Sequence, residues 1–522
     1  MNREAGMDYV IGVDIGTQST KALLVTSGGA IVAQHAHGYQ VDTPRPLWAE
    51  QWPAVWYDAV VACVRQVLQT SGVPAHCIKA ICVSSLYGGS GIPVDAAMQP
   101  LHPCLIWMDR RATDEVEWVK QHVDLERLYA VTGNGVDSYY GYTKMLWLQR
   151  HRPDVWADTR YFLPPNSYIN YLLTGEAAVD HSSAGNIGGV YDMAARSWSA
   201  PMLDALGIPA HMMPERLVDS SEVVGTLLPL AAQQLGLLAG TPVIAGGVDA
   251  AVATFAAGVS RAGQHVAMIG TSMCWGYIHQ QVDARHGLIS MPHVFNSQSD
   301  LYVFGGAITA GASVSWFRDE FCQADVEAAR LLGHADAHQL MEEQAQAVPP
   351  GADGVLFLPY LMGERSPIWD AGASGAFLGL SLYHSRAHLY RAVLEGVSFA
   401  LKHNIEAGAR GAGTVALDDK LIVVGGAAHS PLWMQIIADV TGYPVYTIAE
   451  NVEAALGAAL LAALGTGLID KEEAQRGWVN LVPRSTPQPG ASEVYRRIFE
   501  IYRDAYPALR PLMHRINNAN PT

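Results

Sequence analysis

VIGVDIGTQSTKALL, Val10 to Leu24, is an apolar run, a polar turn and a second apolar run. The β-branched and apolar bias on both sides predicts two strands joined as a hairpin. Between them, Gly16, Thr17, Gln18, Ser19 and Thr20 supply a tight turn whose amides and hydroxyls can converge on one concavity, the chemistry of a phosphate cradle. Asp14 stands at its mouth, where a carboxylate facing phosphates would share a Mg²⁺ ion with them. On this segment alone, an ordinary hairpin with a polar turn reads equally well.

Recurrence breaks the tie. His265 to Gly276, HVAMIGTSMCWG, again runs a short apolar strand into Gly270-Thr271-Ser272. Two copies predict a duplicated α/β architecture with one phosphate loop on each side of a central cleft. The plan resembles that of actin-like ATPases and sugar kinases, which implies two actin-like (ribonuclease H-like) ATPase domains. No Gly-Lys-Ser/Thr sequence occurs, so a P-loop enzyme is excluded.

With 522 residues, half of them hydrophobic and only 16% charged, the chain has material for two substantial cores. A net charge of −16 without a basic run argues against nucleic acid and anionic membranes as partners. The six cysteines form no CxxC pair and read as buried thiols of a reducing compartment. The opening MNREAGMDYV lacks an apolar signal core, and no apolar span reaches membrane length. The expectation is a soluble cytoplasmic protein, with a homodimer left open.

After the first hairpin, Pro44 to Trp52 reads as a loop, and Trp52, Trp56, Ala59, Val60, Cys63 and Val67 then recur at helical spacing up to Gly72. Ile78 to Val83 is a strand that empties into Ser84-Ser85-Leu86-Tyr87-Gly88-Gly89-Ser90-Gly91. Loops leaving the carboxyl ends of strands form the ligand crevice of α/β sheets, so this is a substrate-loop candidate; a flexible turn would look the same. In IWMDRR, Asp109 and Arg111 either meet a polar ligand or pair with each other, the pair being the default. Tyr142 to Trp156 and Ser167 to Leu173 read as helices, and Asp180 to Gly189 as a small, polar loop near the cleft.

Thr241 to Gly258, TPVIAGGVDAAVATFAAG, predicts a strand, a Gly246-Gly247 turn and a small-residue helix from Ala250 onward. Asp249 then sits at the helix N-terminus, where the dipole favours its ionised form. Gly258 to Gly263 is a plausible hinge, dividing the chain into 1–258 and 259–522. Beyond it, Gly305, Gly306 and Gly311 suggest close backbone approach to a ligand or a helix. LPYLMGERSP (Leu358 to Pro367) reads as a compact loop, and Leu421 to Pro431 as strand, small-residue turn and helix, with Ser430 the N-cap. Glu453 to Gly465 is an alanine-rich helix expected to pack beneath that turn. Ser492 to Tyr506 is an amphipathic docking helix with Val494, Ile498, Ile501, Tyr502 and Ala505 on one face, ended by Pro507. His35 and His37 lack further ligands at metal spacing, and Gly411-Ala412-Gly413 follows a helix rather than a strand.

Taken together, these segments resemble the FGGY carbohydrate kinases from about Tyr9 to Gly467. Gly375 to Glu395, GAFLGLSLYHSRAHLYRAVLE, is similar to the C-terminal signature of that family throughout. An earlier signature is met in part by Lys144 to Leu148, with Gly141 where a Pro, Ser or Thr is usual. The resemblance implies Mg-ATP as phosphoryl donor and a small sugar as acceptor. It implies that Asp249 takes the proton of a sugar hydroxyl while Asp14 acts through Mg²⁺. Thr17, Gln18, Ser19, Gly270 and Thr271 would serve the phosphates, Gly311 would pass close to them, and Gly426 with Ser430 would flank the nucleoside. Tyr87, Gly88, Asp109 and Ala250 would lie on the sugar side.

Within the family, WMDRR, GERSP and the LTGEAAVD region are most similar to xylulokinases, which implies conversion of D-xylulose to D-xylulose 5-phosphate. Leu86-Tyr87-Gly88 stands where those enzymes usually have Met-His-Gly, and Ala250 where they tend to have Asn. Both bear on sugar identity, keeping a ribulokinase or another sugar or polyol kinase as the alternative. A nucleotide-switched or catalytically dead sugar sensor is the reading from a different class.

Overall fold

The computed structural model describes residues 7–281, 287–332, 337–411, 416–449 and 453–519. The first six residues and Ala412-Gly413, on which the leader and glycine readings rest, lie outside them. Two sheets carry the molecule. The first is built from β1 (Tyr9–Ile15), β2 (Ser19–Thr26), β3 (Ile31–Gly38), β4 (Ile78–Ser85), β5 (Val223–Thr226) and β6 (Pro242–Ile244), in the order β5-β6-β4-β1-β2-β3. The second is built from β7 (His265–Ile269), β8 (Met273–His279), β9 (Ile289–Pro292), β10 (Leu301–Gly305), β11 (Leu421–Val424), β12 (Val445–Ile448) and β13 (Leu481–Ser485), in the order β9-β10-β8-β7-β11-β12-β13.

The duplication read from the two turns extends through both sheets. In the first, β3, β2 and β1 are antiparallel neighbours, and β4 and β6 continue in parallel. In the second, β10, β8 and β7 are antiparallel neighbours, and β11 and β12 continue in parallel. Each phosphate-turn candidate is therefore the hairpin leaving the first strand of its sheet. β1 and β7 are almost wholly buried, as near-continuous apolar strands covered on both faces should be.

The helices that position the site are α1 (Pro53–Ser71), α2 (Gly141–His151), α3 (His181–Asn186), α4 (Asp249–Ala256), α5 (Gly311–Phe321), α6 (Pro431–Thr441), α7 (Ala454–Gly465) and α8 (Pro489–Ala519). α1 begins with Pro53 at its first position and ends at Gly72 in the left-handed conformation, φ 67°. Its stripe of Trp56, Ala59, Val60, Cys63, Val64 and Val67 is buried against β2 and β3. The chain leaves α4 at Ala257 and enters β7 at His265, so the expected hinge segment is the crossing from one sheet to the other.

Several expectations are corrected. Asp180 to Gly189 is not a loop, because its first part is α3, buried throughout and capped by the Asp180 carboxylate accepting the Ser183 amide at 2.9 Å. α7 does not pack beneath the turn after β11 but lies across β1 and β4 of the first sheet and along α4. The approach is close: a Cβ on Gly12 would stand 2.0 Å from the Ala455 carbonyl, and one on Gly457 2.2 Å from that of Val252. A helix that is apolar all round carries no stripe to say which sheet it covers. Trp52 lies outside α1 and is exposed, and the predicted helix from Tyr142 breaks at Arg152. α8 continues through Pro507 and Pro511, since contacts on both sides of the prolines hold it: Tyr360 donates to the Tyr502 hydroxyl at 2.9 Å, and Asp370 meets Tyr506 and His514. Its buried face is Tyr495, Phe499 and Tyr502, while Val494 and Ile501 face water.

Candidate active site

Both turns are preorganised by their own backbones. In the first, the Gly16 amide donates to the Ser19 carbonyl at 2.9 Å, and the Tyr39 hydroxyl donates to the Gly16 carbonyl at 2.7 Å. Trp107 Nε1 donates to Thr17 Oγ1 at 3.0 Å, while Gln18 and Ser19 are exposed. In the second, Gly270 donates to the Ser272 carbonyl at 3.0 Å, and Gly311 and Ala312, opening α5, donate to Gly270 and Thr271 at 2.9 and 3.0 Å. Gly311 has to be glycine here, since a Cβ would come within 2.5 Å of the Gly270 carbonyl.

Gly270 and Thr271 are exposed, with the turn after β11 beside them, because β7 and β11 are parallel neighbours. Gly425, at φ 94°, crosses tightly over Ile269, and Gly426 borders open space. Ser430 caps α6 as expected, accepting the Trp433 amide at 3.0 Å.

Asp14 is the penultimate residue of β1, with Ser84 beside it on β4, whose hydroxyl donates to Asp14 Oδ1 at 3.1 Å. Lys21, opposite Asp14 on β2, pairs with Glu453 at the start of α7. Asp249 is the first residue of α4, its Oδ1 accepting the Ala250 amide at 2.6 Å. Burial pushes Asp249 up to about 6. Burial and then the charge of Asp249 push Asp14 up to about 8, against the opposing Ser84 hydrogen bond. Two half-buried carboxylates thus lie within electrostatic reach of one another. Among the described residues no group of three His, Cys, Asp or Glu side chains is placed to hold a metal ion.

A buried network holds Asp249 in place. Ser182, on α3, donates to Asp180 Oδ1 at 2.5 Å and accepts the Val248 amide at 3.1 Å. Asn166 bonds the other Asp180 oxygen at 2.9 Å and the Ala245 carbonyl at 3.2 Å. Gly247 makes room for this network, since a Cβ there would stand 2.7 Å from Ser182 Oγ. Ser182 and Asp180 went unnoticed in the sequence because the signal is tertiary, linking residues more than sixty apart.

On the sugar side, Asp109 is fully buried and paired within the protein: it accepts from the Ala49 amide at 2.7 Å and from Arg111 Nε at 2.8 Å. The default ion pair is what the structure contains, reinforced by Arg111 stacking on Trp48 at 3.8 Å. Tyr87 is buried, its hydroxyl accepting the Gly141 amide at 2.5 Å, and Gly88 packs on Pro165. Tyr139, which the sequence reading passed over, lies 4.9 Å from Tyr87 and 6.2 Å from Trp369 between ring centroids. Its hydroxyl feels the charges of Arg365 and Asp249. In the GERSP loop, Glu364 accepts the amides of Ile308 at 3.1 Å and Arg365 at 2.7 Å; burial raises that carboxyl to about 8.

Comparison with known proteins agrees with this arrangement. The N-terminal domain of the FGGY family of carbohydrate kinases matches residues 9–256, and its C-terminal domain residues 265–466. The chain is 30% identical to a xylulose kinase of Bacillus subtilis (strain 168) over 505 residues, 96% of this chain and 97% of that one. It is also 30% identical to a gluconokinase of the same organism over 503 residues, covering 95% and 94% of the two chains. Among solved structures, a xylulose kinase from Rhodospirillum rubrum superposes with a TM-score of 0.86 at 32% identity, covering 97% of this chain and 100% of that one. Two matched family domains and full-length relatives lead to one conclusion: the chain belongs to the FGGY family of carbohydrate kinases and is an ATP-dependent sugar kinase.

Proposed function

We propose that this enzyme phosphorylates a ketopentose, D-xylulose foremost, to the 5-phosphate, with Asp249 as the base. The observation that supports the reading is the position of Asp249 as the first residue of α4, within electrostatic reach of Asp14. Asp249 accepts the proton of the sugar hydroxyl and aims its oxygen at the γ-phosphoryl group of ATP. Phosphoryl transfer is largely dissociative, so alignment outweighs base strength, and a carboxylate near 6 is ionised at neutral pH. The amides and hydroxyls of Gly16 to Ser19 and Gly270 to Thr271 receive the phosphates. Gly426 and Ser430 border the nucleoside.

Asp14 is a hard oxygen donor of the kind that would hold Mg²⁺. When bound, the ion neutralises charge on the transferring group. We place the hinge of domain closure at the crossing from α4 to β7, between units 1–258 and 259–522. A cytoplasmic setting fits a metabolic kinase, and no described helix is long and apolar enough to cross a membrane. A ribulose or polyol acceptor is the second reading, favoured by Tyr87 and Ala250.

The test is ADP release with Mg-ATP across D-xylulose, D- and L-ribulose, L-xylulose, D-gluconate, glycerol and erythritol, beside Asp249→Asn. A D-xylulose response lost by about a thousandfold or more in the variant supports both sugar and base. Preference for another compound overturns the sugar, and an active Asp249→Asn enzyme overturns the base.

A further inference from the structure

Arg365 is half-buried, and its Nε is buried without a hydrogen-bond partner. Among the described residues no carboxylate forms an ion pair with its guanidinium. The buried arginines elsewhere are paired: Arg111 with Asp109 and Glu50, and Arg391 with Glu395. Glu364, next to Arg365 in the chain, does not fill the gap. Its Oε1 is taken by the amides of Ile308 and Arg365, and burial raises that carboxyl to about 8, so it is protonated at neutral pH. A guanidinium held partly out of water without a counter-charge costs free energy, which a bound anion offsets.

The loop that carries this cation touches both halves of the molecule. On one side it grips the segment that wraps the second phosphate turn, where Met273 donates to the Ala307 carbonyl and Ala310 to the Thr271 carbonyl, each at 3.0 Å. A Cβ on Gly306 would stand 2.0 Å from the Met273 carbonyl and 2.7 Å from Arg365 Nη2. The guanidinium therefore lies against the backbone at the root of that turn. On the other side, Trp369, whose amide donates to the Arg365 carbonyl at 2.6 Å, meets Tyr139 and Tyr140 at 6.2 and 6.4 Å between ring centroids. Tyr139 packs on Tyr87, and Tyr87 lines a narrow cavity with Gly88, Ser183 and Val248, the residue before Asp249. The Tyr139 hydroxyl and the Cys274 thiol both feel the Arg365 charge, in keeping with this placement.

We propose that Arg365 is a further catalytic residue, its guanidinium donating to non-bridging oxygens of the γ-phosphoryl group as that group passes from the second phosphate turn to the sugar. The inference rests on the reading that this turn receives the phosphates of ATP and that Asp249 receives the acceptor hydroxyl. In the transfer, the bond from the γ-phosphorus to the oxygen of the leaving ADP breaks while a bond to the sugar oxygen forms. The hydroxyl proton passes to Asp249. Charge on the three equatorial oxygens has to be stabilised throughout, and the planar, permanently charged fork of arginine fits two of them at once. A contact that is strongest in the transition state lowers the barrier without tightening the binding of either substrate.

The experiment measures kcat, KM for sugar and KM for ATP in wild type, Arg365→Ala and Arg365→Lys. It also measures the binding of ADP alone and of ADP with aluminium fluoride and sugar, which imitates the transferring group. The sugar is D-xylulose or, if another member of the panel above is preferred, that compound. In Arg365→Ala kcat should fall about a hundredfold or more. Both KM values should stay within about threefold. ADP should bind as in wild type and the aluminium fluoride complex about a hundredfold more weakly. Arg365→Lys, a point charge without the fork, should keep part of the activity, and added guanidinium should restore part of the rate of Arg365→Ala. The alanine variant should unfold no earlier than wild type, since it removes an unmet buried donor. An unchanged kcat overturns the proposal, as does a rise in KM for sugar alone or an equal weakening of ADP and its aluminium fluoride complex. An active Asp249→Asn enzyme beside an impaired Arg365→Ala one overturns the base and leaves Arg365 in place. The reverse pattern overturns Arg365 alone.

Discussion

The Tyr87 hydroxyl accepts the Gly141 amide at 2.5 Å, joining the first substrate loop to the start of α2. Gly141 stands where the family signature usually has Pro, Ser or Thr, and Tyr87 where xylulokinases usually have His; the two are in direct contact. A Cβ on residue 141 would stand 2.0 Å from the Gly89 carbonyl and 3.1 Å from the Tyr87 hydroxyl, so the glycine and the tyrosine fit as a pair.

Tyr87→Phe should leave a buried amide unmet and lower stability by about 1–3 kcal/mol. Gly141→Ala should cost more, since backbone has to move to admit the methyl group. Urea unfolding of the two variants checks both, and a Gly141→Ala protein as stable as wild type would contradict the packing described.

Ser182→Ala removes the hydroxyl that links Asp180 to the Val248 amide. The adjoining start of α4 loses its anchor, and kcat should fall about tenfold to a hundredfold while the KM for ATP holds. Steady-state kinetics with both substrates varied separates this from a general loss of fold.

Gly311→Ala drives a methyl group toward the Gly270 carbonyl and displaces the second phosphate turn. The KM for ATP should rise about tenfold, with a smaller effect on sugar binding measured without nucleotide. Equal weakening of both ligands would argue against a local role for this turn.

Lys144 is fully buried, its Nζ donating to the Tyr139 carbonyl at 2.8 Å, and burial pulls it down to about 7 against the pull of Asp109. The unfolded chain keeps its lysine protonated to about 10.4. Between those values the unfolded state holds more protons, so this group makes stability rise with pH, by at most about 1.4 kcal/mol per pH unit. Below pH 7 both states are protonated and the burden is constant. Lys144→Met should flatten the rise, read from urea unfolding at a series of pH values from about 6 to 10.

The hairpins, their repetition and the GGVDA strand end were legible in the sequence because each is a local pattern: alternation, a small-residue turn, a capped helix start. The equal strand order of the two sheets follows from them. What remained hidden is carried by contacts between distant segments. Asp180 to Gly189 has no helical stripe to display because α3 is buried on every side. Tyr139 and Ser182 come from separate segments, and only the fold brings them near Asp249. The sequence offers the Arg111 pair as the default for Asp109 and a polar ligand as the alternative, and nothing local announces the Ala49 amide that completes its cage.

The seating of α7 on the first sheet bears on how the protein is made. Residues 454–465 cover β1 and β4, yet they emerge from the ribosome more than two hundred residues after β6 has been synthesised. Until then the nascent chain holds an apolar sheet face with no cover, and Gly12 offers bare backbone where a helix belongs. A chain truncated before residue 454 therefore lacks the helix that covers β1 and β4, and exposed apolar sheet of this kind is prone to aggregate.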